Sequence, residues 1–170
     1  MPFIMTEIIT EIITEIIEKK LYLGDYYDAN NEKLISKLEI NIIINVGADV
    51  TITNSNNVKI INYRIYDNEK FDISKYFEEI SELINKLIEI ESNVVLVNCV
   101  LGQSRSPSFI IAYLMKYHSM TLLDAFTIIK SKRQCISPNL SFMKQLIEYE
   151  LKLFDKNSLT LDNYKKSQYL

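Results

Sequence analysis

The chain is poor in several residue types, and each shortage excludes a class of protein. It has two cysteines, Cys99 and Cys135, which are too few for a disulfide framework or a cysteine-based zinc cluster. Its three glycines and three prolines, beside 48% hydrophobic residues, exclude collagen-like and disordered chains. No apolar run approaches the roughly 18 residues of a membrane span. The composition therefore predicts a globular protein.

An excess of basic charge is also missing. The net charge is −3 at pH 7, from 19 Lys and Arg against 22 Asp and Glu, so the chain as a whole attracts neither nucleic acid nor anionic membranes. No basic leader precedes the first apolar residues, which argues against a secretory signal. We therefore expect an intracellular, cytoplasmic protein with no nucleic-acid or membrane partner. Any anion that it binds must be held by a local site.

Strand-like and helix-like segments alternate along the 170 residues. Compact apolar runs predict strands at 41–47, 58–66 and 94–98. Apolar residues at helical spacing predict helices at 72–92, 106–119, 121–133 and 137–154. The length suits one domain. The alternation predicts an α/β fold, a single domain with a central, mostly parallel sheet flanked by helices.

The two ends of the chain differ from its middle. The segment TEII occurs three times in residues 6–17 and would place isoleucines in a stripe on a helix, which predicts a helical arm over 1–14. This arm either packs on its own domain or forms a homodimer, since an apolar stripe outside the core needs a partner. Periodicity is lost after Phe154. The globular domain is therefore predicted to span 15–154, with a flexible tail over 155–170.

The stretch VVLVNCVLGQSRSPS, residues 94–108, combines the features of a nucleophile in an anion-binding loop. A buried strand ends at Cys99, Gly102 allows the chain to curl, and Pro107 indicates a helix that begins nearby. Backbone N–H groups of such a loop form an anion nest, which also stabilises a thiolate able to attack phosphorus without metal or cofactor. The predicted phosphate-binding residues are Val100, Leu101, Gly102, Gln103, Ser104 and Arg105, the last through its bidentate guanidinium.

These residues resemble the signature loop of the cysteine-dependent protein tyrosine phosphatases, H-C-x-x-G-x-x-R-[S/T]. GQSRSPS followed by AYLM is similar to the dual-specificity branch, and the resemblance extends over residues 13–154. It implies a protein phosphatase that hydrolyses phosphotyrosine and phosphoserine/threonine through a phosphocysteine intermediate on Cys99. The wording DISKYF and the Asn- and Ile-rich composition resemble poxvirus members, for which the host cytoplasm or the virion would be the location.

The resemblance also implies roles for residues beside the nest. Ser106 would donate a hydrogen bond to the sulfur and ease its departure from phosphocysteine, although helix capping is a simpler role. Asp67, in YDNEKFDIS, would supply the proton that the leaving oxygen needs, with Glu69 as the fallback acid. Asn139, in SPN, would support the phosphate loop or only cap the helix that follows.

One position departs from the family pattern, because Asn98 stands where the family has a histidine before the cysteine. Asparagine still donates a hydrogen bond to the loop but carries no charge. We therefore expect an active but slower enzyme, and the alternative is a catalytically weak pseudophosphatase that binds phosphoprotein. A rhodanese-like sulfur carrier would leave Arg105 and the acid unexplained. Because the loop contains no Lys or His, a singly phosphorylated protein side chain is the expected substrate.

Three further features are given no catalytic part. Cys135 is followed by no glycine-rich turn or matching arginine and is predicted to be structural. His118 is the single histidine of the chain and is expected at the surface. The basic run KSKR, residues 130–133, is predicted to be a helix end.

Overall fold

A computed structural model describes residues 13–53 and 57–167, and a five-stranded sheet forms its centre. The strands are Thr14–Ile17 (β1), Leu21–Gly24 (β2), Ile42–Asn45 (β3), Lys59–Asn62 (β4) and Val95–Asn98 (β5). Their order across the sheet is β1-β2-β5-β3-β4. β1 runs antiparallel to β2, and the other neighbouring pairs are parallel. The predicted mostly parallel sheet is confirmed, and ligands of such sheets bind beyond the carboxyl ends of the strands.

Helices cover both faces of the sheet. Alternate residues of a strand point to opposite sides, so one strand contributes to a hydrophobic core on each face. Val95 and Val97 of β5 belong to one hydrophobic core, whereas Leu96 belongs to the other. The Leu96 face is covered by two short helices, Tyr26–Asn30 (α1) and Glu32–Lys37 (α2). The opposite face is covered by Phe77–Ile88 (α3), Arg105–His118 (α4), Leu122–Lys132 (α5), Leu140–Phe154 (α6) and Leu161–Ser167 (α7).

Helix α4 positions the loop that follows β5. Its residues 105–115 are all buried, and it packs against α3, α5 and α6, so its N-terminus is fixed at the carboxyl edge of the sheet. Ser104 occupies the N-cap position but makes no side-chain capping hydrogen bond. The first N–H groups of the helix are therefore left without a side-chain cap, and a helix N-terminus of this kind attracts anions.

Of the helical arm predicted over 1–14, the last two residues fall in the described part of the chain. Residues 14–17, the last copy of TEII, form strand β1, and residues 1–12 lie outside the described part of the chain. β-branched Thr14, Ile16 and Ile17 have high strand propensity, and the segment pairs with β2 at the edge of the sheet. Pairing with an existing strand outweighs the four-residue helical pattern.

The described part of the C-terminal segment, residues 155–167, differs from the prediction of a flexible tail over 155–170, whose last three residues lie outside the described part of the chain. It contains α7, and Tyr164 within that helix is 1% exposed. The Tyr164 hydroxyl donates a hydrogen bond to the carbonyl of Pro138 over 2.6 Å. The buried hydrophobic residues of this segment are Leu159 and Tyr164. Two apolar positions are too few to form a repeating helical pattern, so the sequence does not reveal the helix. In the ranges 13–53 and 57–167, no helix combines the length and apolar character needed to cross a membrane.

Candidate active site

Cys99 follows the central strand β5, at the edge where the four parallel strands of the sheet end. Gly24, Asn45 and Asn98 are the last residues of β2, β3 and β5, and they lie in register with one another. Cys99 is 1% exposed, and Ser106 Oγ donates a hydrogen bond to its sulfur over 3.2 Å. Ser106 is the second residue of α4, so it does not cap that helix. The sulfur thus lies at the carboxyl edge of the sheet with a hydroxyl donor beside it.

Residues 99–103 form a loop in which every carbonyl group accepts a hydrogen bond from outside the loop. Two of the donors are backbone N–H groups, two belong to one guanidinium group and one is a side-chain amide. They are Asn98 Nδ2 for Cys99 (3.3 Å), the Tyr26 N–H for Val100 (3.0 Å), Arg133 Nη2 for Leu101 (3.3 Å), Arg133 Nε for Gly102 (3.0 Å) and the Ser137 N–H for Gln103 (2.7 Å).

These hydrogen bonds fix the direction of the N–H groups in the loop. In a trans peptide the C=O and N–H groups point in opposite directions, so the N–H groups of residues 100–104 point away from the donors that hold the carbonyls. None of them donates to another residue in the described part of the chain. The loop therefore presents a set of N–H donors that are available to an oxyanion.

Gly102 is required at the turn of this loop. Its φ angle is +63°, in the left-handed region where a Cβ atom causes strain. A Cβ at this position would also lie 2.8 Å from the Gly24 carbonyl oxygen and 2.7 Å from Arg133 Nη2. Glycine thus allows both the backbone conformation and the close approach of the loop to the end of β2.

Arg105 is the first residue of α4 and is 4% exposed. Its Nη1 donates to Asp49 Oδ2 over 2.9 Å and to the carbonyl of Ile65 over 3.1 Å. Its Nε makes no hydrogen bond and lies 3.5 Å from Asp67 Oδ2. Asp49 therefore orients the guanidinium group, while Nε remains free to donate to a bound phosphoryl group.

Asp67 is held at the rim of the site by two hydrogen bonds to one of its oxygens. Ser104 Oγ and Asn139 Nδ2 each donate to Oδ1 over 2.9 Å. Asn139 also caps α6, because its Oδ1 accepts a hydrogen bond from the Phe142 N–H over 2.9 Å. The two roles considered for Asn139 thus occur together, and its support reaches Asp67 as well as the loop residue Ser104, whose hydroxyl accepts from the Asn139 N–H.

A cavity of about 430 Å³ opens over the loop and brings the predicted groups together. Cys99, Arg105 and Asp67 all line it, so a nucleophile, a cation and an acid face one space. Glu69, the fallback acid, lines a separate surface depression. The other lining residues are Asp49, Val50, Val100, Leu101, Gln103, Ser104, Ser137 and Asn139. Within the described residues, no group of three or more His, Cys, Asp or Glu is placed to hold a metal ion.

Asn98 connects the loop to its neighbouring strand through neutral amide groups. It is fully buried, and its Nδ2 donates to the Cys99 carbonyl and, over 3.4 Å, to Asn45 Oδ1. Asn45 in turn donates to Asn62 Oδ1 over 3.0 Å. Asn98 Oδ1 has no hydrogen-bond partner. The position that carries a histidine in the family pattern therefore supports the loop without any charge.

Sequence reasoning missed two charged residues that hold the site. Arg133 does end α5, as predicted for the run KSKR, but it is 3% exposed and its side chain binds the loop. Asp49, which pairs with Arg105, follows β3 at the carboxyl edge of the sheet, and that location was its only signal. By contrast, His118 is exposed as expected, and half-buried Cys135 does not line the cavity.

Comparison with known proteins agrees with this geometry. The family model of the dual specificity phosphatase catalytic domain matches residues 21–152. Over 143 residues the chain is 37% identical to dual specificity protein phosphatase 18 of Mus musculus, which covers 84% of this chain and 76% of that protein.

Solved structures show the same fold. The human tyrosine phosphatase-like serine/threonine/tyrosine-interacting protein matches with a TM-score of 0.75 at 32% identity, over 84% of this chain and 97% of that chain. A mouse candidate dual specificity phosphatase, solved in complex with zinc tungstate, matches with a TM-score of 0.77 at 25% identity, over 89% of this chain and 94% of that chain. These mammalian relatives do not support the predicted poxvirus-like origin.

Proposed function

The chain belongs to the dual specificity phosphatase family, and from this premise we propose that it hydrolyses phosphotyrosine and phosphoserine/threonine side chains of proteins through a phosphocysteine intermediate. The observation that carries the proposal is the loop of residues 99–103, whose carbonyl groups are all held from outside. The N–H donors of residues 100–104 then surround an oxyanion placed over the Cys99 sulfur, and Arg105 adds a charge-assisted donor.

In the first step, the Cys99 thiolate attacks phosphorus. The S–P bond forms while the bond from phosphorus to the substrate oxygen breaks. Protonated Asp67, which lines the same cavity, gives its proton to the leaving oxygen. The N–H groups of the loop and the Arg105 guanidinium stabilise the charge on the oxygens of the transferring phosphoryl group.

In the second step, water attacks phosphorus and the P–S bond breaks. Asp67, now a carboxylate, accepts a proton from the attacking water and returns to its starting form. Ser106 Oγ lies 3.2 Å from the Cys99 sulfur and donates a hydrogen bond to the thiolate that leaves. Inorganic phosphate is released, and no cofactor enters the balance.

The cavity favours a substrate with one phosphoryl group. Arg105 is the cationic side chain among the described residues that line it, and Asp49 and Asp67 add negative charge. A second phosphate would therefore meet acidic groups instead of basic ones. The mouse relative was solved in complex with zinc tungstate, whose oxyanion is tetrahedral like phosphate. A singly phosphorylated protein side chain fits this charge distribution better than a polyphosphorylated lipid or a triphosphate.

Release of phosphate from p-nitrophenyl phosphate tests the activity, and a panel of phosphotyrosine, phosphoserine and phosphothreonine peptides tests the specificity. We expect turnover by the wild type and none by Cys99→Ser, which removes the nucleophile, while Arg105→Ala lowers kcat/KM by roughly 10³. Acid quenching with labelled substrate should trap phosphocysteine in the wild type. Turnover by Cys99→Ser would overturn the mechanism. A wild type that binds phosphopeptide without turnover would be a pseudophosphatase.

An intracellular location and a homodimer are also part of the proposal. The chain has two cysteines in 170 residues, too few for a disulfide framework, which suits a reducing compartment. The isoleucine-rich repeat that begins at residue 6 supports self-association through its apolar pattern. Light scattering of the full chain and of a chain lacking residues 1–12 tests the dimer without disrupting β1. We expect the full chain to be a dimer and the shortened chain a monomer, and the same oligomeric state in both would overturn a dimer formed through the N-terminal repeat.

A further inference from the structure

We propose that Arg133 is a positioning residue, which holds the middle of the phosphate-binding loop in the orientation that binds an oxyanion. The inference deepens the proposed function and rests on it for the identity of what the loop binds. Arg133 lies 31 residues beyond Gly102, its closer contact in the loop, and does not line the cavity. It therefore acts through the backbone of the loop and does not touch the substrate.

The contacts of Arg133 join two consecutive peptide groups. Nε donates to the Gly102 carbonyl over 3.0 Å, and Nη2 donates to the Leu101 carbonyl over 3.3 Å. Nη2 also lies 3.7 Å from Asp25 Oδ2, and Asp25 is the N-cap of α1. One planar guanidinium group thus spans both carbonyls while one of its nitrogens also faces a carboxylate, a geometry that the single ammonium group of lysine does not reproduce.

The middle of the loop depends on this side chain more than its flanks do. The carbonyls of Val100 and Gln103 are held by backbone N–H groups, which persist whatever the side chains are. The carbonyls of Leu101 and Gly102 are held by Arg133. Gly102 has φ of +63° and, as a glycine, can adopt other backbone conformations easily. Without Arg133, either peptide group can rotate, which removes an N–H donor from the oxyanion and presents a carbonyl oxygen to it.

Arg133 also brings a positive charge to the loop, beside the carboxyl groups of Asp25 and Asp28. Its guanidinium is nearly fully buried directly behind the loop, and Nη1 makes no hydrogen bond. Asn98, which directly precedes the nucleophile and donates to its carbonyl, is neutral. A buried positive charge favours both the thiolate and the bound oxyanion, because screening by water is weak there. The same residue therefore contributes geometry and electrostatics to the loop.

The test compares Arg133→Met and Arg133→Lys with Lys132→Met, an adjacent control with the same charge change as Arg133→Met. Lys132 is exposed and its Nζ donates to the Glu15 carbonyl on β1, away from the loop. Tungstate affinity is measured by calorimetry, and the rate of Cys99 alkylation by iodoacetamide is measured against pH. Circular dichroism establishes that each variant is folded.

We expect Arg133→Met to bind tungstate at least about tenfold more weakly, since two hydrogen bonds from a charged group are lost. Its alkylation curve should move to higher pH, a change that a purely structural role would not produce. Arg133→Lys should bind tungstate with intermediate affinity, because it keeps the positive charge but has no planar group that donates to both carbonyls. Lys132→Met should match the wild type.

Wild-type tungstate affinity and an unmoved alkylation curve in Arg133→Met would overturn the inference. If Arg133→Met does not fold, Arg133→Lys decides, and wild-type tungstate affinity in that variant would overturn it. A wild type that binds no tungstate overturns the proposed function and this inference with it. Weaker tungstate binding in the Arg133 variants, beside normal binding by the wild type, supports the role of Arg133 in the loop and leaves the proposed function intact.

Discussion

At the scale of single residues, the site depends on how each acidic group is paired. Asp67 Oδ1 accepts hydrogen bonds from Ser104 and Asn139, so the carboxyl group is fixed in place while Oδ2 faces Arg105. Glu69 is two residues further along the same exposed segment but lines a different depression. The general acid of the proposed mechanism can therefore be distinguished from its neighbour by substitution.

Asp67→Asn should slow the hydrolysis of substrates with poor leaving groups most. Asparagine can still accept from Ser104 and Asn139, but it cannot protonate a leaving alkoxide. We expect kcat/KM, which reports the step that forms phosphocysteine, to fall by roughly 10²–10⁴ for a phosphoserine peptide and much less for p-nitrophenyl phosphate, whose leaving phenolate is stable. Glu69→Gln is the control and should leave both rates unchanged. Equal losses on the two substrates in Asp67→Asn would show that another group donates the proton.

Asp28 lies behind the loop, and burial raises its pKa to about 6, with the nearby Asp25 carboxylate adding to the shift and the Asp25 N–H and Arg133 opposing it. Because the folded pKa is above the unfolded value, Asp28 contributes stability that is fully present below pH about 4 and is lost as pH rises through about 6. Asp28→Asn stays neutral throughout. We expect its free energy of unfolding to exceed that of the wild type by up to about 3 kcal/mol at pH 8, and by little at pH 4.

Urea unfolding of the Asp28→Asn variant and the wild type at several pH values measures this difference. Glu91→Gln, which neutralises an exposed carboxylate, is the control and should show no such trend. A difference in unfolding free energy that is the same at pH 4 and pH 8 would contradict the assigned role of burial.

At the scale of elements, the loop between β5 and α4 was predictable because its chemistry is local in the sequence. Cys99, Gly102 and Arg105 lie within seven residues, and Pro107 indicates the helix start. What holds the loop open was not predictable, since Arg133 and Asp49 reach it from α5 and from the end of β3. Contacts over such sequence distances leave no periodic or motif signal.

Gly102→Ala should damage this loop more than Gly47→Ala, although both glycines lie near the carboxyl edge of the sheet. A Cβ at Gly102 would require a left-handed conformation and would meet the backbone carbonyl of Gly24 at 2.8 Å. At Gly47 its nearest contact would be a side-chain methyl of Val50 at 2.9 Å, which can move. We expect Gly102→Ala to lose at least about 1 kcal/mol of stability from the backbone conformation alone.

Because the loop must shift to admit that Cβ, kcat/KM of Gly102→Ala should fall at least about tenfold. Thermal unfolding and hydrolysis of p-nitrophenyl phosphate measure the two effects. If Gly47→Ala lost as much activity as Gly102→Ala, the assigned importance of the left-handed turn would be wrong.

At the scale of the whole molecule, the sequence pattern indicated the sheet and the helices of the middle of the chain but not the helix α7 near its C-terminal end. The strands at β3 and β5 are compact apolar runs and α3 has a long amphipathic pattern, so each is visible alone. β1 has a repeat that fits helix spacing as well as strand propensity, and only pairing with β2 decides between them. α7 depends on a few tertiary contacts, which no local pattern reveals.

Those contacts predict that the domain does not end at Phe154, although the helical pattern does. Ser158 donates to the buried Glu150 carboxylate through its N–H (2.8 Å) and its hydroxyl (2.6 Å), and Leu159 and Tyr164 are buried. A chain truncated after Phe154 loses the burial of both apolar side chains, about 1.5–3 kcal/mol each. It should therefore unfold roughly 10 °C or more below the full chain.

Thermal unfolding followed by circular dichroism measures the loss, and Tyr164→Phe separates its parts. That variant keeps the buried ring but removes the hydroxyl that donates to the Pro138 carbonyl, so it should lose only about 1–3 kcal/mol. Pro138 directly precedes Asn139, which holds Asp67, and the truncated chain should accordingly lose phosphatase activity even below its melting temperature. Burial of two large side chains must stabilise the folded state if they pack as described. Equal melting temperatures for the truncated and full chains would therefore show that α7 does not stabilise the domain.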